Sequence, residues 1–299
     1  MLNKLIKIEN LTSVDIEQIM DDAFSYKYGK DTSKFENKTV CLMFFENSTR
    51  TKISFEMAAK KLKMNVINFD TQTSSINKGE SLKETMENLY FIGINGVIIR
   101  TSDDNLIQNL TDNVSYPIKF INAGSGKTSH PTQALLDYFT MKEKITSVTG
   151  KKIVIVGDIE HSRVAKSNIA LLKNFGAKIT ICSPKYFKPQ IMPSGVTYEE
   201  DLKTSIKDAD VVMGLRIQRE RILEAYSEAE YIKNYRISSQ LLNDYAPDAI
   251  LMHPGPVNRD VEITSELLDS ERGKTILTQA QNGVFVRMAL LKQIVGEEN

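Results

Sequence analysis

Val40-Cys41-Leu42-Met43-Phe44-Phe45-Glu46-Asn47-Ser48-Thr49-Arg50-Thr51-Lys52 joins an apolar run, residues 40–45, to a stretch in which Phe55, Ala58, Ala59 and Leu62 recur at helical spacing. The run reads as a strand and the stretch as a helix, so the polar residues between them form a strand-to-helix turn. That turn brings two hydroxyls, a guanidinium and several unpaired backbone N–H groups to the positive end of a helix, where the macrodipole already favours an anion. A phosphate suits such a place. Ser48 or Thr49 could instead be a plain helix cap, because hydroxyl residues are common there, and for the junction taken alone that is the stronger reading.

Outward from this junction, short apolar runs alternate with helical patterns. Residues 40–45, 65–69, 96–99 and 118–121 read as strands, with an amphipathic stretch through Leu82, Met86 and Leu89 between them. This is the rhythm of a parallel sheet. Ser81 and Glu84 form a capping-box pattern, and Pro131 stands where a first-turn proline would open a helix through Leu135, Tyr138 and Phe139. A second series follows Gly150, with strands at 152–156, 178–182, 211–215 and 249–252 and a helix through Ala165, Ile169 and Leu172. The fold class expected is α/β, with two domains each built on a parallel sheet flanked by helices. The boundary is placed near 144–150, giving a first domain over 1–146 and a second over 147–299, with a last apolar helix at about 284–295.

The 299 residues include 38 basic and 38 acidic side chains, so the formal net charge is zero and no long-range field recruits nucleic acid or an anionic membrane. Cys41 and Cys182 both sit in apolar runs, where a thiol acts as a small buried hydrophobe, and neither a disulfide framework nor a zinc cluster is implied. The first ten residues lack a signal-peptide core, and no segment has the ~18 apolar residues that span a bilayer. A cytoplasmic chain is expected.

Two nucleotide-site patterns fail on inspection. Gly126-Lys127-Thr128 resembles the end of an NTP-binding loop, but Ile121 stands where that loop needs its first glycine. Val154-Ile155-Val156-Gly157-Asp158 opens like a dinucleotide fold but has a single glycine, and no ribose-binding acid ends the next strand.

Phe44-Phe45-Glu46-Asn47-Ser48-Thr49-Arg50-Thr51, followed by Lys52-Ile53-Ser54-Phe55-Glu56, resembles the phosphate loop of the aspartate and ornithine carbamoyltransferases. Further segments resemble that family in the same order along nearly the whole chain. They are the polar loop 71–80, Arg100 at a strand end, His130-Pro131-Thr132-Gln133, the turn 157–163, Leu215-Arg216-Ile217-Gln218, and His253-Pro254-Gly255-Pro256.

The resemblance implies a carbamoyl phosphate site of Ser48, Thr49, Arg50, Thr51, Ser74, Arg100, His130 and Gln133, and an amino-acid site of Lys78, Arg163, Arg216 and Gln218. Arg50, Thr51, Lys78, Arg100, His130 and Gln133 would be the catalytic set, and Gly255 and Pro256 would belong to a loop over both substrates. Ornithine enzymes carry His-Cys-Leu-Pro in that loop; its absence, with Arg216 and Gln218 present, points to a dicarboxylate, L-aspartate. Arginine forks suit carboxylates by bidentate geometry. The expected reaction transfers the carbamoyl group to the amine of L-aspartate and releases phosphate, a step of pyrimidine biosynthesis, with no metal or organic cofactor.

The resemblance also implies a C-terminal helix packed back on the first domain, and a homotrimer in which Ser74 and Lys78 reach a neighbour's site. A separate regulatory chain is possible but not favoured, because Gly255-Pro256-Val257-Asn258-Arg259 resembles the versions found without one. Lys52 departs from the second arginine common in relatives, which touches only a supporting ion pair because a lysine cannot fork.

Overall fold

Apolar runs become the central strands of two parallel sheets in the computed structural model, which describes residues 2–71, 79–218 and 226–296. The chain divides into two units, Met1–Leu135 with Asn282–Asn299 and Leu136–Gln281. The first holds β1 (Lys4–Leu5), α1 (Ser13–Lys27), β2 (Thr39–Phe44), α2 (Thr49–Lys61), β3 (Asn65–Phe69), α3 (Leu82–Ile92), β4 (Gly96–Thr101), α4 (Leu106–Asn113) and β5 (Lys119–Ser125). Its strands lie in the order β1-β5-β4-β2-β3, all parallel. Helix α5 (Pro131–Ile145) follows, and the division between the units falls within it.

The second unit holds β6 (Lys152–Val156), α6 (Arg163–Asn174), β7 (Lys178–Cys182), β8 (Val196–Glu199), α7 (Leu202–Ile206), β9 (Val211–Gly214), α8 (Glu228–Tyr235), α9 (Ser239–Tyr245), β10 (Ile250–Met252) and α10 (Ser265–Asp269). Its parallel order is β10-β9-β6-β7-β8. The last helix, α11, runs Lys274–Leu291. The α/β class with two parallel sheets is therefore the fold expected from the runs.

Both orders contain a reversal. In the first sheet the chain leaves β2 for β3 on one side and returns to β4 on the other, so the switch lies between β2 and β4. In the second, β7 and β8 extend one side of β6 and β9 lies on the other, so the switch lies between β6 and β9. Loops leaving the carboxyl ends of strands diverge at such points and leave room for a ligand. Register fixes what sits there: Phe44 pairs with Arg100, and Val156 pairs with Gly214.

The apolar stretch at 284–295 continues a helix that already starts at Lys274. Its first half escapes an apolar-run reading because Gln279 and Asn282, both buried, are polar. The C-terminal end is fastened to the first unit by Lys292, whose Nζ lies 2.9 Å from both Asp22 Oδ1 and Asp31 Oδ2, and by Gln293, which donates to Asp22 Oδ2 at 2.6 Å. Burial alone would lower the Lys292 pKa, but the two carboxylates raise it above its ordinary value.

Candidate active site

At the first switch point, α2 begins without a side-chain cap. Ser48 occupies the cap position with extended backbone, yet its hydroxyl accepts no helix N–H. Thr12, Ser81, Ser162, Ser227, Ser238 and Thr264, the other hydroxyl caps described, each accept the N–H of the third helical residue. The plain capping role considered for Ser48 is therefore not the one adopted. The first N–H groups of α2 are left to an outside acceptor, as anion-binding helix starts require. Thr49 and Arg50 are exposed and Thr51 is buried.

The helix is held rigidly. Phe55, Ala58, Ala59 and Leu62 are fully buried, and the Arg287 guanidinium lies 5.0 Å over the Phe55 ring while donating to Ser54 Oγ at 3.1 Å. The other Arg287 nitrogen reaches Thr132 Oγ1 at 3.5 Å, which ties the start of α5 to the same anchor.

Arg100 leaves β4 directly opposite the end of β2. Its Nη1 donates to the Ala123 carbonyl at 3.1 Å and lies 3.4 Å from His130 Nε2, while its Nε is 3.4 Å from Glu46 Oε2. A guanidinium has donors only, so that contact uses His130 Nε2 as the acceptor. His130 and Gln133 are both buried at the start of α5. The loop that delivers them is internally braced. Asn122 donates to the Ile6 carbonyl at 2.7 Å and to Ser125 Oγ at 3.0 Å, and its own oxygen takes the Gly124 N–H at 2.7 Å. Asp104, just beyond β4, accepts the N–H groups of Lys127 and Thr128 and the Thr128 hydroxyl. Thus Ser48, Thr49, Arg50, Thr51, Arg100, His130 and Gln133 all lie at the carboxyl ends of β2, β4 and β5 or in the first turns of the helices that follow β2 and β5. Ser74 and Lys78 lie outside the described residues.

At the second switch point, Asp158 organises the turn after β6. It is fully buried; its Oδ1 accepts the His161 backbone N–H at 3.2 Å and faces His161 Nδ1 at 2.8 Å, and its Oδ2 meets the Gln218 N–H at 3.4 Å. Burial raises the Asp158 pKa, opposed chiefly by His161. Gln218 Nε2 donates to the His161 carbonyl at 2.9 Å, closing a second link between the β6 and β9 loops. Arg163 is buried at the first position of α6, and Arg216 and Gln218 are half-buried just past β9. Arg163, Arg216 and Gln218 therefore share the carboxyl ends of adjacent strands. Gly255 and Pro256 follow β10; Gly255 N–H donates to His253 Nδ1 at 2.8 Å, and the His253 N–H donates to Gln279 Oε1 at 3.1 Å.

Gly157 makes this assembly possible. Its φ is +126°, and a Cβ there would stand 2.9 Å from the Leu215 carbonyl oxygen, beside Arg216. Gly157→Ala is expected to destabilise the fold by about 2 kcal/mol or more, because strained backbone and a rigid backbone neighbour add. A thermal melt several degrees lower, with a higher KM for the amino-acid substrate, is the expected result.

Among the described residues no His, Cys, Asp and Glu cluster is arranged to hold a metal, and no helix is long and apolar enough to cross a membrane. Asp104 and Asp158 are absent from the sequence-derived site. Asp158 sits in the quoted turn, but nothing in its spacing separates a loop-bracing carboxylate from a surface charge.

The model of the aspartate/ornithine carbamoyltransferase carbamoyl-P binding domain matches residues 3–143, and that of the Asp/Orn binding domain matches residues 149–294. The chain belongs to the aspartate/ornithine carbamoyltransferase family. It is 44% identical to the aspartate carbamoyltransferase catalytic subunit of Christiangramia forsetii over 298 residues, covering 97% of this chain and 95% of that one. Among solved structures it is similar to aspartate transcarbamoylase from Trypanosoma cruzi in complex with carbamoyl aspartate and phosphate. That match has 26% identity and a TM-score of 0.85, covering 98% of this chain and 96% of that one. It is equally similar in fold to ornithine carbamoyltransferase from Pyrococcus furiosus, at 25% identity and a TM-score of 0.87, covering 99% and 98%. The fold alone thus serves both branches of the carbamoyltransferase family.

Proposed function

We infer that this carbamoyltransferase chain moves the carbamoyl group of carbamoyl phosphate to the α-amine of L-aspartate, giving N-carbamoyl-L-aspartate and phosphate, in pyrimidine biosynthesis. The observation that carries the reading is the uncapped start of α2 beside Arg100 and His130, at the point where the first strand order reverses. Donors converge there without an acceptor supplied by the helix cap, which suits a phosphorylated electrophile. The aspartate assignment is supported by Arg216 and Gln218 beside Arg163, by the absence of cysteine after His253, and by relatives named for aspartate.

In this reading Ser48, Thr49, Arg50, Thr51, Ser74 and Arg100 hold the phosphate, and Gln133 contacts the carbamoyl amino group. Thr51, Arg100 and His130 surround the carbonyl oxygen, whose charge grows as the amine attacks. Lys78, Arg163, Arg216 and Gln218 fix the aspartate carboxylates. The nucleophile is the neutral amine: its nitrogen forms the new C–N bond, the C–O bond to phosphate breaks as the tetrahedral intermediate collapses, and the departing phosphate takes the amine's proton. No protein base is demanded, and positioning with charge stabilisation supplies the acceleration.

A homotrimer with shared sites and a cytoplasmic setting belong to the same proposal. The first is supported by exposed Ile53 and Met57 on α2 and Ile67 on edge strand β3, the second by two buried free thiols. The test is carbamoyl transfer from labelled carbamoyl phosphate to aspartate, ornithine and N-acetylornithine. Aspartate alone should be carbamoylated; preference for either other amine overturns the assignment.

A further inference from the structure

Glu262 is almost completely buried in the second unit, two residues after Asp260, in a segment that contributes no group to the reaction proposed above. Its two carboxylate oxygens are shared between two separate pieces of chain. Oε1 accepts the Ile217 backbone N–H at 3.0 Å and Asn258 Nδ2 at 2.6 Å; Oε2 accepts the Asn258 backbone N–H at 2.6 Å and faces His253 Nε2 at 3.9 Å. Because His253 Nδ1 already accepts the Gly255 N–H, the neutral ring carries its proton on Nε2, on the side of Glu262. Ile217 lies between Arg216 and Gln218, and Asn258 ends the Gly255–Pro256–Val257 turn.

Burial pushes the Glu262 pKa up, while the Ile217 and Asn258 donors and the positive charge of Arg216 pull it back. Three N–H donors converge on it, and an acceptor-only carboxylate satisfies all three, whereas an amide would turn an NH2 group toward at least one of them. A buried, charged, multiply bonded group of this kind is costly to build unless its geometry matters. The glutamate's own backbone joins in: its N–H meets the Asn258 carbonyl at 3.3 Å and its carbonyl accepts the Ile237 N–H at 2.9 Å, so the carboxylate is itself held in place.

We propose that Glu262 is a positioning residue for the amino-acid substrate, a buried carboxylate that locks the Arg216–Gln218 segment to the 255–258 loop so that both present one fixed surface to the substrate. The inference rests on the aspartate reading given above. It assigns to Glu262 no contact with the substrate. Its effect passes through the backbone of Ile217, which aims Arg216 and Gln218.

The test uses full-length Glu262→Gln and Glu262→Asp chains with two readouts. In steady-state kinetics Glu262→Gln is expected to raise the KM for L-aspartate by about tenfold or more, the loss expected when charged hydrogen bonds go, while the KM for carbamoyl phosphate stays within about twofold. Glu262→Asp keeps the charge but not the reach, and should fall between Glu262→Gln and the parent chain. In hydrogen exchange, Glu262→Gln should lose protection at Ile217 and Asn258 together.

Equal changes in both KM values, or an unchanged aspartate KM, overturn the proposal, as does loss of protection at one segment without the other. If the parent chain transfers nothing to aspartate, the reading of function fails, and the exchange result still decides whether the two segments are locked. Should Glu262→Gln not fold, Asn258→Ala removes one of the side-chain bonds from a half-buried position. A selective rise in aspartate KM then supports the lock, and none refutes it.

Discussion

Arg100→Ala is expected to lower kcat by roughly a thousandfold and to raise the KM for carbamoyl phosphate, with the fold intact. Three effects add. Loss of a donor aimed at developing negative charge typically costs about 100- to 1,000-fold. The same guanidinium holds the Ala123 carbonyl and His130 Nε2, so its removal also frees the ring that must meet the carbonyl oxygen. It further takes a cation from beside Glu46, whose carboxylate then adds negative charge next to an anion site. Arg100→Lys should recover little, because one ammonium cannot serve three directions set by a planar fork. The double substitution Arg100→Ala with Glu46→Gln separates these effects: it should restore part of the carbamoyl phosphate affinity without restoring kcat. Steady-state kinetics checks each variant, and a loss below about tenfold in kcat/KM for Arg100→Ala would remove Arg100 from the catalytic set.

Why so much of the fold is legible follows from where each strand sits. Past their opening lysines, residues 153–156 are wholly apolar and 179–182 apolar but for Thr180, because both faces of β6 and β7 are covered, so the runs coincide with the strands. Val196-Thr197-Tyr198-Glu199 is an edge strand with no fully buried residue, and it carries no such run. Two-residue β1 is too short to give any pattern.

The site divides in the same way. Hydroxyls and arginines at strand ends can be found from spacing and the resemblance, because their chemistry shows in their residue types. The absent cap at Ser48 cannot be read from sequence, since Ser81 and Ser162 look the same and do cap their helices. Nor can the carboxylates that brace the loops. Asp104, Asp158 and Glu262 act on backbone N–H groups distant in sequence, as with Asp158 and Gln218 or Glu262 and Ile217, and such partners have no residue type to recognise.

The two switch points make opposite use of one device. In the first unit the helix start after β2 is left open, its first turn carries Arg50 and no acidic residue, and an anion from outside would complete it. In the second, the start of α6 is closed by Ser162, whose oxygen accepts the Ala165 N–H, and the turn before it is filled by Asp158. Under the proposed function the carboxylates of the incoming amino acid would therefore meet side-chain guanidinium groups rather than a helix terminus. Phosphate recognition through backbone N–H groups and carboxylate recognition through arginine forks match the geometries of the two anions.

Mixing two inactive chains is expected to create activity. Lys78→Ala and Arg50→Ala should each abolish turnover on their own, since in the proposed reading each removes a cation that contacts a substrate in every site. If a site takes Arg50 from one subunit and Lys78 from the next, a closed ring of three containing both variants has one junction at which both residues are intact. Random assortment of equal amounts leaves about three quarters of the trimers mixed, each with one such site in three, so about one quarter of parental activity should return. The exposed apolar residues Ile53, Met57 and Ile67, beside the edge strand that leads toward residue 78, supply the surface such a ring would cover. Unfolding and refolding the mixed chains, followed by separation of charge-tagged species, identifies the mixed trimers directly. Mixed trimers without activity would place both cations in one chain's own site, and recovery well above one quarter would mean that Lys78 or Arg50 is dispensable where its partner is whole.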